Sequence, residues 1–185
     1  PSRATPEAFG EYVEVVARRL GDRVPHWLTQ NEPYCVSWLG YALGLHAPGR
    51  TELPAAIAAA HHVLLSHGLA VQALRRESPK SEVGIVLDSW PVYAASDDPR
   101  DAEAVKEQDG FRNRLFFDPV LRGSYPADVL EHLGDSPPPV RDGDLAGELE
   151  RNELSEDGWM PVLALGEPDP RCPPTFQPGT LYGNP

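Results

Sequence analysis

Cysteine is scarce in this 185-residue chain: Cys35 and Cys172 stand 137 positions apart, with no CxxC and no Cys/His cluster near either. A disulfide framework and a zinc site are therefore not indicated, no metal is expected, and a reducing cytoplasm is the default setting. Positive charge is also short. Sixteen Lys and Arg face 28 Asp and Glu, and the formal net charge of −12 has the wrong sign for holding a phosphate backbone, so nucleic acid is not an expected partner. No uninterrupted apolar run approaches the roughly 18 residues that span a bilayer, and no basic-then-apolar leader opens the chain, so no membrane association is expected. Methionine occurs once, at Met160, and the first residue is Pro1; this suggests an internal piece of a longer protein. There is no repeat of 20–50 residues, no GxGxxG, no phosphate loop and no Ser/His/Asp motif, so neither a solenoid nor a cofactor-dependent enzyme is indicated.

What the chain does contain is unevenly spread. Residues 1–135 hold 11 Pro and 10 Gly, whereas residues 136–185 hold 10 Pro and 6 Gly, 16 of 50 positions. Such a share without a period is that of irregular sequence, so the organised part should end near Gly134. With 41% hydrophobic residues, that part suffices for one domain.

Thr5 can cap a helix with Pro6 at its first position, and Phe9, Tyr12, Val13, Val16 and Leu20 recur at helical spacing before Gly21, which predicts one buried stripe. Residues 26–31 are strand-compatible and close at Glu32-Pro33, where a proline removes a ladder donor. Residues 34–51, punctuated by Gly40, Gly44, Pro48 and Gly49, read as a loop. Pro54 then opens a long helix to about Arg76, with Ile57, His61, Leu64, Gly68 and Val71 on a stripe that should be buried. Residues 83–87 form the continuous apolar run of a parallel strand covered on both faces, and Asp88-Ser89 is its polar tip. Residues 101–117 return to helical spacing, interrupted at Asp109-Gly110. This alternation predicts an α/β protein with a parallel sheet and right-handed crossovers. Two strands cannot make a stable sheet alone, and nothing in residues 136–185 reads as a further βαβ unit.

Asn31-Glu32-Pro33 stands at the carboxyl end of the first strand, where ligands collect in parallel α/β folds. Pro33 should hold Glu32 extended, with its carboxylate toward a substrate and the Asn31 amide toward a sugar hydroxyl. Strict alternation would send these neighbours to opposite faces, so the reading requires a bulge or fraying at the tip. On its own the tripeptide is more readily a solvated loop carboxylate, as most exposed glutamates are. Trp27, Trp38 and Trp90 are candidate sugar platforms or simply core aromatics, with only Trp38 and Trp90 near the tips. His61, His62 and His67 lack the i, i+4 offset of a metal-binding helix and read as core or interface histidines, while His46 sits in the loop at the expected substrate face. Residues 97–101 look like a helix start with acids near the positive end of the dipole.

Residues 26–33, His-Trp-Leu-Thr-Gln-Asn-Glu-Pro, resemble the acid/base strand of glycoside hydrolase family 1, the β-glucosidase family, and three later segments agree in order. Gly40-Tyr41 with Gly44-Leu45-His46-Ala47-Pro48-Gly49 is similar to that family's loop after the fourth strand. Residues 60–68 resemble its fourth helix, and Asp118-Pro119-Val120-Leu121-Arg122-Gly123-Ser124-Tyr125-Pro126 its segment beyond the fifth strand. The resemblance covers about residues 5–145. It implies an incomplete (β/α)8 TIM barrel over residues 1–145, running from the third helix to the fifth, followed by an irregular or divergent Pro/Gly-rich tail over 146–185. It further implies a retaining β-glycosidase acting on β-glucosides or β-galactosides, with Glu32 as general acid/base, Asn31 as ligand of the sugar 2-hydroxyl, Tyr34 as an aglycone wall and Asp88 near the same subsite. No cofactor is implied, and the missing barrel segments become candidate partners.

The departures bear on activity. Gln30 stands where leucine is usual, and the Thr-Glu-Asn-Gly strand that carries the family's nucleophile is nowhere in the sequence. Glu156 and Glu167 lie in contexts that do not read as strand. The chain is therefore expected to be inactive alone. Two further readings stand beside this one: another (β/α)8 glycosidase, such as a cellulase or xylanase, and a non-catalytic sugar-binding remnant.

Overall fold

The structure, a computed structural model, describes residues 1–145 and the strand at residues 163–165. Helix α1 (Ala4–Leu20) begins one residue before Thr5, so Arg3 rather than Thr5 flanks it; Glu7 in the first turn and Arg18 and Arg19 in the last match the helix dipole. Pro6, Val13 and Ala17 are its buried positions, and Phe9 packs partly against the same cluster. Tyr12 and Leu20, expected on this stripe, are instead 61% and 39% exposed. The partner explains the difference. Helix α2 (Leu53–Glu77) meets α1 through Ala70, Ala73 and Leu74, and a Cβ on Gly10 would come within 3.2 Å of the Leu69 Cβ. Small residues let the two helices approach, and the bulky side chains of α1 turn outward.

Strands β1 (His26–Asn31) and β2 (Glu82–Ser89) lie parallel, connected by α2. The α2 stripe of Ile57, His61, Leu64, Gly68 and Val71 is buried as expected. This helix is long and apolar enough to cross a membrane by length and composition, but most of that stretch is buried within the fold. Ile85 and Leu87 of β2 enter the main core with Ala56, Ile57, Ala60 and Leu64 of α2 and Leu115, Phe116 and Val120 further on. Only that face of β2 is fully covered; Gly84, Val86 and Asp88, which alternate with it, are half-buried among the described residues.

A third strand, β3 (Leu163–Leu165), pairs parallel with β2, with Leu87 opposite Leu163 and Ser89 opposite Leu165, in the order β1-β2-β3. No further βαβ unit is expected in residues 136–185, and the element described there is this one short strand. Proline is absent from these three positions, so their backbone is free to pair with the open edge of β2. The rest of the expected irregular tail, with Glu156, Glu167 and Cys172, lies outside the described residues.

One expectation is corrected. Residues 35–42 form a π-helix (Cys35–Ala42), not a loop. Ser37 Oγ donates to Pro33 O at 2.7 Å, and Leu43 N reaches back five residues to Trp38 O at 2.8 Å. Gly40, which looks like a breaker, serves a close approach: a Cβ there would lie 2.9 Å from Ala47 O. The helical stretch over 101–117, read as interrupted at Asp109-Gly110, does break there and forms three segments, α3 (Pro99–Asp109), a π-helical turn (Gly110–Arg114) and α4 (Leu115–Arg122), followed by α5 (Ala127–Leu133). The start of α3 is as read, with the Asp98 carboxylate accepting from Arg100 N at 2.9 Å.

The end of the described region is tied to its beginning by one buried polar cluster. Asp144 accepts from Arg3 Nη1 at 2.8 Å and Nη2 at 2.5 Å, from Arg141 N at 2.8 Å and from His61 Nε2 at 3.0 Å. Burial holds His61 neutral and keeps the Tyr125 phenol protonated. The imidazole therefore donates through Nε2 to Asp144 and accepts from Tyr125 through Nδ1 at 3.0 Å. His61 is thus a satisfied core histidine.

Candidate active site

The site lies where the tips of β1 and β2 meet. Between Leu28 and Asn31 the register slips by one residue against β2, so that Leu28 faces Gly84 but Asn31 faces Val86. That is the bulge required for Asn31 and Glu32 to serve one site. Glu32 N still donates to Val86 O at 2.9 Å, and the chain then leaves the sheet. Glu32 is not extended, as its proline neighbour suggested: its φ is 49°, in the left-handed region. It is the only non-glycine with positive φ among the described residues. A side chain there costs roughly 1–2 kcal/mol. The abrupt turn from a bulged strand into the π-helix overrides the pre-proline preference.

Glu32 is half-buried and Asn31 exposed. One helical turn beyond, Cys35 Sγ donates to Glu32 Oε2 at 3.3 Å. Burial first, then the hydrogen bond to Glu32 and the charges of Asp88 and Glu32, push the Cys35 thiol up to about 12, against the pull of Arg112.

Tyr34 and Asp88, expected to face a substrate, are brought together by a residue that sequence reasoning did not single out. The Arg112 guanidinium, 2% exposed, forms an ion pair with the Asp88 carboxylate and donates to Asp88 O at 3.2 Å. Its Cζ lies 3.8 Å from the centre of the Tyr34 ring and 4.4 Å from that of Trp90. Asn113, next in the π-helical turn, clamps Trp90 by accepting from its N at 3.1 Å and donating to its O at 2.9 Å. Tyr34 also stacks on Trp38 at 6.0 Å and meets Phe116 edge-on. Trp38 is 7% exposed, a core residue and not a platform, whereas Trp90 stays partly exposed. The signal for Arg112 was its place in Phe111-Arg112-Asn113-Arg114, a basic pair entering the apolar run at Leu115.

His46 is exposed, in a loop pinned to the π-helix by its own N donating to Leu39 O at 2.9 Å. His67 Nδ1 lies 2.7 Å from Thr29 Oγ1, which ties α2 to β1. Among the described residues, no three His, Cys, Asp or Glu side chains gather as a metal site.

This geometry has relatives. The model of glycosyl hydrolase family 1 matches residues 1–156. A β-glucosidase of an Agrobacterium species is 46% identical over 144 residues, which make up 78% of this chain and 31% of that protein. The psychrophilic β-glucosidase of Micrococcus antarcticus superposes with a TM-score of 0.74 at 48% identity, over 78% of this chain and 31% of its own. Virulence factor SghA of Agrobacterium tumefaciens, solved with its substrate analogue salicin, gives a TM-score of 0.76 at 44% identity, over 78% and 32%. The chain spans about a third of the length of the relatives it matches. Its parallel strands and covering helices are one part of their (β/α)8 barrel. A family match over most of the sequence, with relatives above 40% identity in both sequence and structure, fixes the assignment: the chain belongs to glycosyl hydrolase family 1.

Proposed function

We propose that the chain carries the acid/base half of a retaining β-glycosidase active site, with Glu32 as the general acid/base and β-glucosides as the substrate class. The observation that supports this most is the placement of Glu32 at the tip of β1, after a bulge and in a left-handed turn, half-buried beside the tip of β2. Backbone strain of this kind persists where a site needs a side chain aimed. That a relative was solved with the substrate analogue salicin supports the same class of ligand.

In such a reaction the protonated acid gives its proton to the glycosidic oxygen as the bond to the anomeric carbon breaks, while a second carboxylate attacks that carbon from the opposite face. The first residue, now a carboxylate, then takes a proton from the water that releases the sugar. Asn31 holds the sugar 2-hydroxyl, and Tyr34, braced by Arg112, forms a wall for the aglycone. The second carboxylate has to stand about 5–5.5 Å from the first. Asp88 does not fill that role, since its carboxylate is engaged by Arg112. A complete site thus needs a carboxylate from other barrel segments, and the 185 residues alone leave an aryl β-glucoside intact.

The test is release of p-nitrophenol from its β-glucoside, and then its β-galactoside, by the purified chain alone and after mixing with the remaining segments of a family 1 barrel. We expect no turnover from the chain alone, and turnover from the mixture that Glu32→Gln removes. Turnover by the chain alone, or a mixture indifferent to Glu32→Gln, overturns the proposal.

A further inference from the structure

The geometry points to Cys35 as a positioning residue for Glu32: its thiol fixes the orientation of the carboxylate by donating a hydrogen bond to one oxygen, leaving the other to exchange a proton with a ligand. This rests on the reading of Glu32 as the acid/base. Glu32 leaves the sheet with a φ of 49°, so its side chain is aimed by a backbone that no regular element continues. Free rotation about its own bonds would still spread the carboxylate over several positions. Cys35, three residues on and already inside the π-helix, stands in the first rigid element after the turn. Its Sγ reaches Glu32 Oε2 at 3.3 Å, an ordinary distance for a thiol donor. The thiol thus contacts the carboxylate directly.

The choice of a thiol has a physical consequence. Lysine or arginine at this position would add a cation beside Glu32 and favour its ionised form strongly. A thiol is a weak, neutral donor, so it orients the carboxylate with little bias between its two protonation states. It remains a donor because burial, Glu32 and Asp88 all oppose its ionisation, and Arg112 only partly offsets them. The charged groups that face Cys35 are thus Glu32 from the turn, Asp88 from β2 and Arg112 from the π-helical turn.

The S–H stretching vibration of Cys35, recorded by infrared spectroscopy on the full chain with Cys172→Ser as background, tests this directly. Cys35→Ser identifies the band by its loss. We expect a band lowered by a strong acceptor at neutral pH, which moves to higher frequency as Glu32 takes up a proton, and a higher, pH-independent band in Glu32→Gln. A band that ignores both pH and Glu32→Gln overturns the proposal, as does one whose pH response persists in Glu32→Gln and therefore belongs to Asp88. Should Glu32→Gln fail to fold, Glu32→Asp withdraws the acceptor by one methylene and must raise the frequency at neutral pH; an unmoved band again overturns it. None of these readings uses turnover. A Glu32 that proves dispensable in the mixed-segment assay defeats the proposed function while leaving the thiol contact standing, and an unresponsive band does the reverse.

Discussion

Replacing His67 by glutamine should flatten the response of stability to acid. His67 is 3% exposed on α2, with Nδ1 2.7 Å from Thr29 Oγ1 of β1. Burial, with a smaller push from Arg75, lowers its pKa from 6.5 to about 4. The unfolded chain takes a proton below 6.5 that the folded chain refuses until about 4. The stability tied to this group is therefore complete above 6.5 and drains away as the pH falls toward 4. Each pH unit within that window removes about 1.4 kcal/mol, or about 3 kcal/mol across the whole of it. His61, also held neutral by burial, acts in the same direction. Urea unfolding followed by circular dichroism between about pH 7 and pH 5, above the range where most carboxylates titrate, isolates the histidines. Glutamine can still hydrogen-bond Thr29, so His67→Gln should lose about 1 kcal/mol at pH 7 yet remove about one proton's worth of slope below 6.5. An unchanged slope in His67→Gln, or a parent chain with no slope in this interval, would refute the reasoning.

Asp144→Ala should cost about 3 kcal/mol in urea unfolding, because it removes the buried ion pair with Arg3 and leaves the His61 Nε2–H without its acceptor in a site where both side chains, Asp144 and His61, are 1% exposed. Asp144 is held well below the usual carboxylate range, chiefly by Arg3 against the opposing effect of burial, so its own contribution is complete above pH 4 and lost only in stronger acid. Arg112→Gln should destabilise by a comparable amount, and Arg112→Lys should recover only part of it, since lysine supplies the charge but not the flat surface lying against Tyr34 and Trp90; the three unfolding midpoints decide it. Glu32→Gly should raise stability by about 1 kcal/mol by relieving the left-handed backbone, while abolishing activity in the mixed-segment assay.

How far the sequence reads depends on the range of the interactions involved. The bounds of β1 and of α2 were legible because a proline, a tip dipeptide and a run of alternating or periodic residues all act within a few positions of one another. The π-helix at residues 35–42 was not, because Gly40 carries the same letter whether it breaks a helix or admits the Ala47 carbonyl. The exposed Tyr12 and Leu20 were misread for a related reason: helical spacing names several candidate stripes, and the small residues of α2 choose among them. The role of Arg112 was not legible, although its place beside an apolar run marked it, because its partners stand 24 residues away at Asp88 and 78 away at Tyr34, joined only when both strand tips are in place.

That joining separates the acids at the strand tips. The family resemblance implies Tyr34 as an aglycone wall and Asp88 near the same subsite; one guanidinium matches the charge of Asp88 and braces the ring of Tyr34. Glu32 receives a neutral thiol donor. Two carboxylates near one another repel, and a site that needs one of them to change protonation works best when the other is already matched. Arg112 thus matches the charge of Asp88 inside the protein, so that the two carboxylates at the strand tips stand in different surroundings. Because Arg112 sits in the π-helical turn, the break in helical regularity at Gly110–Arg114 belongs to the same arrangement. The Cβ that Gly110 lacks would meet Val129 at 2.7 Å, so its glycine lets α5 close against the turn that delivers the guanidinium.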